Sequence, residues 1–265
     1  MRYGMVIDLK RCISCYACQM ACKTENGTPP GVLYAWAYRV EQGEYPDTRQ
    51  VYLPMLCNHC DEPSCVDVCP TGATHKREED GIVVIDADAC VGCRACMTAC
   101  PYHARYYLDE IRGYYPGQGL TPYEKALYPE HSRRTVEKCD FCMHRLDEGK
   151  EPACVSNCPA VARIFGDLDD PDSEPSRLIK RDAGYQLLPE MGNDPSVYYL
   201  PAERPARGSI QDEHPPTGCA GGVRGKDAGS ARSSATGATE DDASCPPAQT
   251  RRPQAHLGSS SKESR

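Results

Sequence analysis

The chain has 265 residues, 18 of them cysteine, with two Phe, one Trp and a formal net charge of −8. That charge, with no basic stripe to neutralise phosphates, excludes duplex nucleic acid as a partner. No run of about 18 apolar residues occurs, so no membrane span is expected. With so few large apolar groups, something besides aliphatic packing is expected to fill the interior.

The predicted elements come early. The start, MRYGMVIDLKRC, has no apolar h-region or cleavage site and reads as lacking a signal peptide. Thiols made in the cytosol stay reduced, so a disulfide scaffold is not expected. Residues 5–9 read as a strand, followed by a cysteine loop and a helix start. The loop holds the first group, Cys12, Cys15, Cys18 and Cys22. Lys23 follows Cys22, where proline follows Cys69, Cys100 and Cys158. The helix after Cys22 is therefore expected to run on, with Lys23 setting local charge.

The second group is Cys57, Cys60, Cys65 and Cys69, in LCNHCDEPSCVDVCP. Residues 73–76 and 82–85 then read as a β-hairpin around an Asp-Gly turn. The third group is Cys90, Cys93, Cys96 and Cys100. Val84-Ile85-Asp86 and these cysteines repeat Val6-Ile7-Asp8 and the first group at a constant offset of 78 residues. Residues 107–137 form a Tyr- and Pro-rich insertion. The fourth group is Cys139, Cys142, Cys154 and Cys158. Residues 162–166 read as a strand pairing with 5–9, and 196–200 as a late edge strand. Everything else up to about residue 202 reads as short helix and loop. From residue 203 the composition turns to Gly, Ser, Ala, Pro and charge, the mark of a disordered tail. Its Cys219 and Cys245 have no ligand spacing and read as free thiols.

A C-x₂-C-x₂-C-x₃-C run is suited to a 4Fe–4S cubane, and in two-cluster proteins its fourth cysteine ligates the other cluster. Three closely spaced cysteines let one loop wrap the cluster, and proline after the fourth gives a rigid exit. Zinc knuckles use C-x₂-C pairs and leave Cys18 and Cys96 surplus. Sixteen grouped cysteines and three Cys-Pro endings carry the iron–sulfur reading to the wider-spaced second and fourth groups. On this reading the clusters are the core.

Other residues stand beside them. His59 and His75 could modulate a cluster or be surface or hydrogen-bonded side chains. His131 and His144 have no ligand spacing. Lys10, Arg11, Lys23, Arg94, Lys138 and Arg145 flank cysteines and could raise potentials or face solvent and partners. Asp167, Asp169 and Asp170 read as a turn rather than a cation site. Tyr102, Tyr106, Tyr107, Tyr114 and Tyr115 read as an aromatic patch, either a docking surface or a satellite core. No nucleophile–base constellation, P-loop or G-x-G-x-x-G occurs, so no substrate-transforming site is expected.

In GMVIDLKRC, ACKTEN, GEYPD, LCNHCDEPSCVDVCPTGA, CVGCRACMTACPY, EKCDFCMHRLDEGKEPACVSNCP and FGDLDDP, residues 1 to about 202 resemble a known family. It is the four-cluster, ferredoxin-type electron-transfer subunit of molybdopterin oxidoreductases acting on dimethyl sulfoxide, polysulfide, tetrathionate or arsenate. The resemblance implies an α+β fold of two pseudo-symmetric bacterial-ferredoxin-like modules. Module one would be 1–50 with 138–170, module two 51–106, with the insertion 107–137, a C-terminal wrap 171–202 and the tail 203–265. It implies four [4Fe–4S] clusters. The first takes Cys12, Cys15, Cys18 and Cys158, and the second Cys22, Cys139, Cys142 and Cys154. The third takes Cys57, Cys60, Cys65 and Cys100, and the fourth Cys69, Cys90, Cys93 and Cys96.

The Cys12 end would face a molybdopterin catalytic subunit and the Cys69 end a membrane anchor with a quinone site. The chain would be a non-catalytic relay between them. It would be peripheral on the cytoplasmic membrane and exported with its partner, or else held on the cytoplasmic face. The alternative is a soluble polyferredoxin serving a cytosolic hydrogenase or formate dehydrogenase. A third reading is a zinc-scaffold interaction protein.

Overall fold

A computed structural model describes residues 1–201. The tail expected from residue 203, with Cys219 and Cys245, lies outside the described residues. In chain order the elements are β1 (Tyr3–Asp8), α1 (Ala17–Asn26), β2 (Ala35–Gln42), β3 (Arg49–Leu56), α2 (Ser64–Asp67), β4 (Thr74–Lys76), β5 (Val83–Ile85) and α3 (Ala95–Ala99). There follow β6 (Tyr106–Tyr107), α4 (Pro122–Leu127), β7 (Val136–Glu137), α5 (Met143–Asp147), α6 (Ala153–Ser156), β8 (Arg163–Asp167), α7 (Glu174–Arg181) and β9 (Val197–Leu200).

The 78-residue repeat is structural. Asp8 Oδ1 accepts the backbone N–H groups of Lys10 at 2.9 Å and Arg11 at 3.3 Å. Asp86 Oδ1 accepts those of Asp88 and Ala89 at the same 2.9 and 3.3 Å. Each aspartate thus closes the turn that launches its cysteine loop. Ser14 (φ 52°) and Tyr16 (φ 59°) are left-handed, and so are their counterparts Gly92 (φ 66°) and Arg94 (φ 64°). These bends fold the loops before α1 and α3 begin. The two units then diverge. Pro101 forces Cys100 into an extended conformation (ψ 110°), so α3 stops at Ala99. Lys23 imposes no such limit, and α1 runs on to Asn26, closing on left-handed Gly27.

β1 is the centre of a three-stranded sheet, antiparallel to β8 and parallel to the edge strand β9. Its Met5, Val6 and Ile7 are all fully buried because both faces are covered. Alternation sends Met5 and Ile7 into the main core and Val6 into a small cluster with Ile164, Leu200 and residues of α7. β4 and β5 form the expected hairpin, with Thr74 opposite Ile85.

Two expectations fail. The stretch 35–56 is not short helix and loop but a hairpin, β2 against β3, with Ala35 opposite Leu56 and Gln42 opposite Arg49. Nor do cysteines alone make the core. Trp36, Tyr38, Leu53, Met55 and Leu56 from this hairpin are buried in the same cluster as Cys22, Cys57, Cys60, Cys100, Cys139 and Cys154. Tyr199 of β9 locks the hairpin to the sheet, its hydroxyl donating to Pro54 O at 2.8 Å.

Candidate metal centres

The turns described above deliver thiols in groups. Cys12, Cys15, Cys18 and Cys158 line one cavity with Arg163. Burial first, then Cys18 and Cys158, pushes the Cys12 thiol up against the hydrogen bond from the Ser14 backbone. Cys22 is driven well up by burial and then by Cys154 and Cys142, and Cys139 by burial and then by Cys22 and Cys142. Asn26, on the last turn of α1, has its Nδ2 3.5 Å from Cys22 Sγ and 4.0 Å from Cys142 Sγ. Burial also raises Cys60, with Cys57, Cys100 and Cys65 adding to it. Cys100 is pushed to about 11, by burial and then by Cys57.

The Cys69 end is held differently. Thr74 N–H donates to Cys69 Sγ at 3.3 Å. Burial pushes the thiol up, but this bond and the others from Thr74 and Thr71 together outweigh it and bring the thiol down to about 7. α2, just before Cys69, packs on α3, and Ser64 Oγ donates to Ala99 O at 3.0 Å. Cys90, Cys93 and Cys96 stand on the loop and first turn of α3. Backbone donors also reach Cys158 Sγ from Ala162 at 3.3 Å and Cys139 Sγ from Phe141 at 3.4 Å.

These donors fit iron–sulfur clusters better than lone metal ions. Among the described residues, no three His, Cys, Asp or Glu side chains converge closely enough to hold one ion. A tetrahedral zinc site needs thiolates roughly 3.8 Å apart, as follows from Zn–S bonds of about 2.3 Å. The backbone N–H groups of Thr74, Phe141 and Ala162 aimed at cysteine sulfur are the donors that suit a thiolate-bound inorganic core.

The flanking residues sort clearly. His59 is buried and accepts from Val83 N–H at 3.2 Å, while His75 is exposed. Burial, then Lys138 and Arg105, holds His59 well below the usual histidine range, so it is neutral. Lys138 is buried and donates to the carbonyls of Val83 and Cys139. Lys23 Nζ donates to the carbonyls of Thr28, Pro29 and Val32. Arg94 lies 3.7 Å over the Tyr107 ring, and Arg145 and His144 bind Glu25. Lys10 and Arg11 are exposed. Asp167 and Asp170 cap turns, accepting from Asp169 and Asp172 N–H.

The five tyrosines do not make one patch. Tyr102 and Tyr106 are buried in the main core, while Tyr114 and Tyr115 are exposed. Two buried cations, Arg105 and Arg163, are not among the residues that spacing singles out. A shared pattern could have found them, because each lies five residues after a Cys-Pro cysteine.

Comparison with known proteins decides the family. A 4Fe-4S dicluster domain matches residues 48–115 and again 109–168, and a second 4Fe-4S dicluster family matches 4–70. Together they cover all sixteen grouped cysteines. The chain is 44% identical over 226 residues to the arsenate respiratory reductase iron-sulfur subunit ArrB of Shewanella sp. (strain ANA-3), covering 76% of this chain and 96% of that one.

The chain belongs to this family of 4Fe–4S iron–sulfur subunits. A tetrathionate reductase subunit from Salmonella typhimurium is 44% identical over 75% of the chain and 72% of its own length. A sulfite dehydrogenase subunit from Allochromatium vinosum is 38% identical over 76% of the chain and 83% of its own length. As a family member the chain carries four [4Fe–4S] clusters and works in electron transfer as a subunit of an oxidoreductase complex. Among the described residues no helix is long and apolar enough to cross a membrane.

Proposed function

We propose that the chain is a non-catalytic wire with two distinct ends, its sixteen cysteines shared as four sites. The first site is Cys12, Cys15, Cys18 and Cys158, and the second Cys22, Cys139, Cys142 and Cys154. The third is Cys57, Cys60, Cys65 and Cys100, and the fourth Cys69, Cys90, Cys93 and Cys96. The observation that carries this reading is the order of exposure. Cys15 and Cys93, 78 residues apart, are the exposed members of the sixteen. All four thiols of the second site are buried, and in the third only Cys65 is partly open. This supports two more open sites at the ends of the wire and two closed ones between them.

Each outer site has an apolar rim, as a docking face requires. Ile13 (65% exposed) and Val161 (59%) stand beside Cys12, Cys15 and Cys158. Val91 (65%) and Val68 (41%) stand beside Cys90, Cys93 and Cys69. The first end is assigned to a molybdopterin catalytic subunit, and the second to a membrane anchor that oxidises quinol. On this reading the subunit sits peripherally at the cytoplasmic membrane, on the extracytoplasmic side, after export with its catalytic partner. The clusters supply one-electron chemistry when bound. The chain's own groups exclude water, aim N–H donors at sulfur and fix the order of sites.

The test uses the assembled complex with Ile13→Glu and Val91→Glu. Ile13→Glu is expected to interrupt electron passage to the catalytic subunit while leaving reduction by a quinol analogue intact. Val91→Glu is expected to do the reverse. If both variants interrupted the same partner, the two-ended reading would fall.

A further inference from the structure

Two segments share a pattern that the cysteine spacing does not require. Cys100-Pro101-Tyr102-His103-Ala104-Arg105 and Cys158-Pro159-Ala160-Val161-Ala162-Arg163 both read C-P-x-x-A-R. The other two fourth cysteines have no arginine there. Thr74 stands five residues after Cys69, and Gly27 five after Cys22.

Both arginines are only 2% exposed. A buried cation costs heavily unless it is paired. Thiols rather than carboxylates face these two. Arg163 Nη1 lies 3.6 Å from Cys154 Sγ and 3.7 Å from Met5 Sδ. Its Nε and Nη2 are buried with no protein hydrogen-bond partner, an arrangement that calls for an explanation. Arg105 donates to Cys65 Sγ at 2.8 Å and to Thr74 Oγ1 at 3.2 Å.

Their reach also has a pattern. Arg163 lines the cavity of Cys12, Cys15, Cys18 and Cys158 and lies against Cys154 of the second site, so it adjoins both sites. Arg105 donates to Cys65 of the third site and to Thr74, whose own N–H donates to Cys69 of the fourth, so it adjoins both. One cation therefore stands between the two sites of each half.

We propose that Arg163 and Arg105 are potential-setting cations, each raising the reduction potentials of the two clusters it stands between. The proposal rests on the four-site assignment above. An arriving electron adds one negative charge to a thiolate-bound site inside a low-dielectric interior. A fixed positive charge a few ångströms away favours that state. Arginine suits the task because it stays protonated under all working conditions, and a lysine facing the same thiolates holds its proton through their charge. The unpartnered Nε and Nη2 of Arg163 are donors available to the inorganic sulfur of a cluster. Such hydrogen bonds raise potential further.

The test is redox titration of the assembled complex followed by paramagnetic resonance, with iron and acid-labile sulfide counted on every variant. Single cysteine variants assign the signals to sites. Arg163→Gln is expected to lower the potentials of the first and second sites and leave the third and fourth unmoved. Arg105→Gln is expected to do the converse. Arg163→Lys should return the potentials toward wild type, which separates charge from shape.

Unchanged potentials in iron-replete Arg163→Gln would overturn the proposal and leave the site assignment standing. A shift confined to the third and fourth sites would overturn both. Should Arg163→Gln lose iron, the lysine variant decides. Potentials near wild type support the proposal, and potentials well below it in an iron-replete protein overturn it.

Discussion

His59 stacks on Phe141, with ring centroids 3.8 Å apart and planes 23° from parallel. The residue before Cys60 thus lies against the residue before Cys142. Both are left-handed, at φ 41° and 60°, so each cysteine loop bends to bring its ring to the contact. The neutral imidazole and the phenyl ring join the inner thiols of the second and fourth cysteine groups. Phe141→Ala removes a ring that is 1% exposed. It is expected to destabilise the protein by about 3–5 kcal/mol. The check is the denaturant midpoint of cluster absorbance, which should fall sharply, while Phe141→Leu should keep most of it. An unchanged midpoint in the alanine variant would show that the stack holds nothing together.

Cys22 sits in the first sequence group but among the thiols of the fourth. Cys22→Ser is therefore expected to perturb the cluster of Cys139, Cys142 and Cys154. The paramagnetic signal assigned to Cys12, Cys15 and Cys18 should persist. Loss of that signal instead would return Cys22 to its neighbours in sequence.

Lys23 does two things that proline could not. It lets α1 continue, and its ammonium ties the loop of residues 28–32 to the helix. Lys23→Pro should end the helix early and cost about 3 kcal/mol. Lys23→Met keeps the helix and removes the shared donor, but Tyr114, the Val32 N–H and Thr28 Oγ1 still reach the three carbonyls, so the cost is about 0.5–1.5 kcal/mol. Thermal unfolding should rank wild type above Lys23→Met above Lys23→Pro. A proline variant as stable as wild type would contradict this account.

His131 faces two acceptors, with Nδ1 2.8 Å from Glu137 Oε2 and Nε2 3.0 Å from Asn26 O. Both nitrogens must donate, so the imidazolium is the fitting form. Burial opposes the charge, but Glu137 and the backbone outweigh it and hold the group above the usual histidine value. A raised value stabilises the folded chain fully below about 6.5, the unfolded value. That stability is lost as pH climbs through the folded value. Protease cleavage within 107–137 should accelerate over that window, and His131→Gln should flatten the dependence. An equal slope in the variant would assign the effect to another group.

Local patterns in the sequence carry much of this structure. The β4–β5 hairpin is legible because two short β-rich runs flank an Asp-Gly turn, and β1 and β8 because each is a short apolar run beside a cysteine group. The 78-residue repeat is legible because the same side chains close the same turns. The β2–β3 hairpin is not. Pro54 breaks a run that otherwise reads as a strand, and only its pairing with Ala37 rescues it. The C-P-x-x-A-R pattern pairs Arg105 with Arg163, but nothing local shows that a charged side chain is buried. That is decided by distant residues, Met5 and Cys154 against Arg163 and Cys65 and Thr74 against Arg105. The tyrosines are neighbours in sequence, yet the fold sends two inward and leaves two out.

The extra turn of α1 has a further consequence. Its carbonyls are capped by the insertion, Tyr123 Oη donating to Lys23 O and Thr24 O and His131 to Asn26 O. α3 has no such turn, since Pro101 follows Cys100 directly. A duplicated relay with equivalent halves could be plugged in backwards. Here one half wears a collar that the other lacks. The two halves are therefore not interchangeable, and the difference begins where one repeat has a proline after its fourth cysteine and the other a lysine.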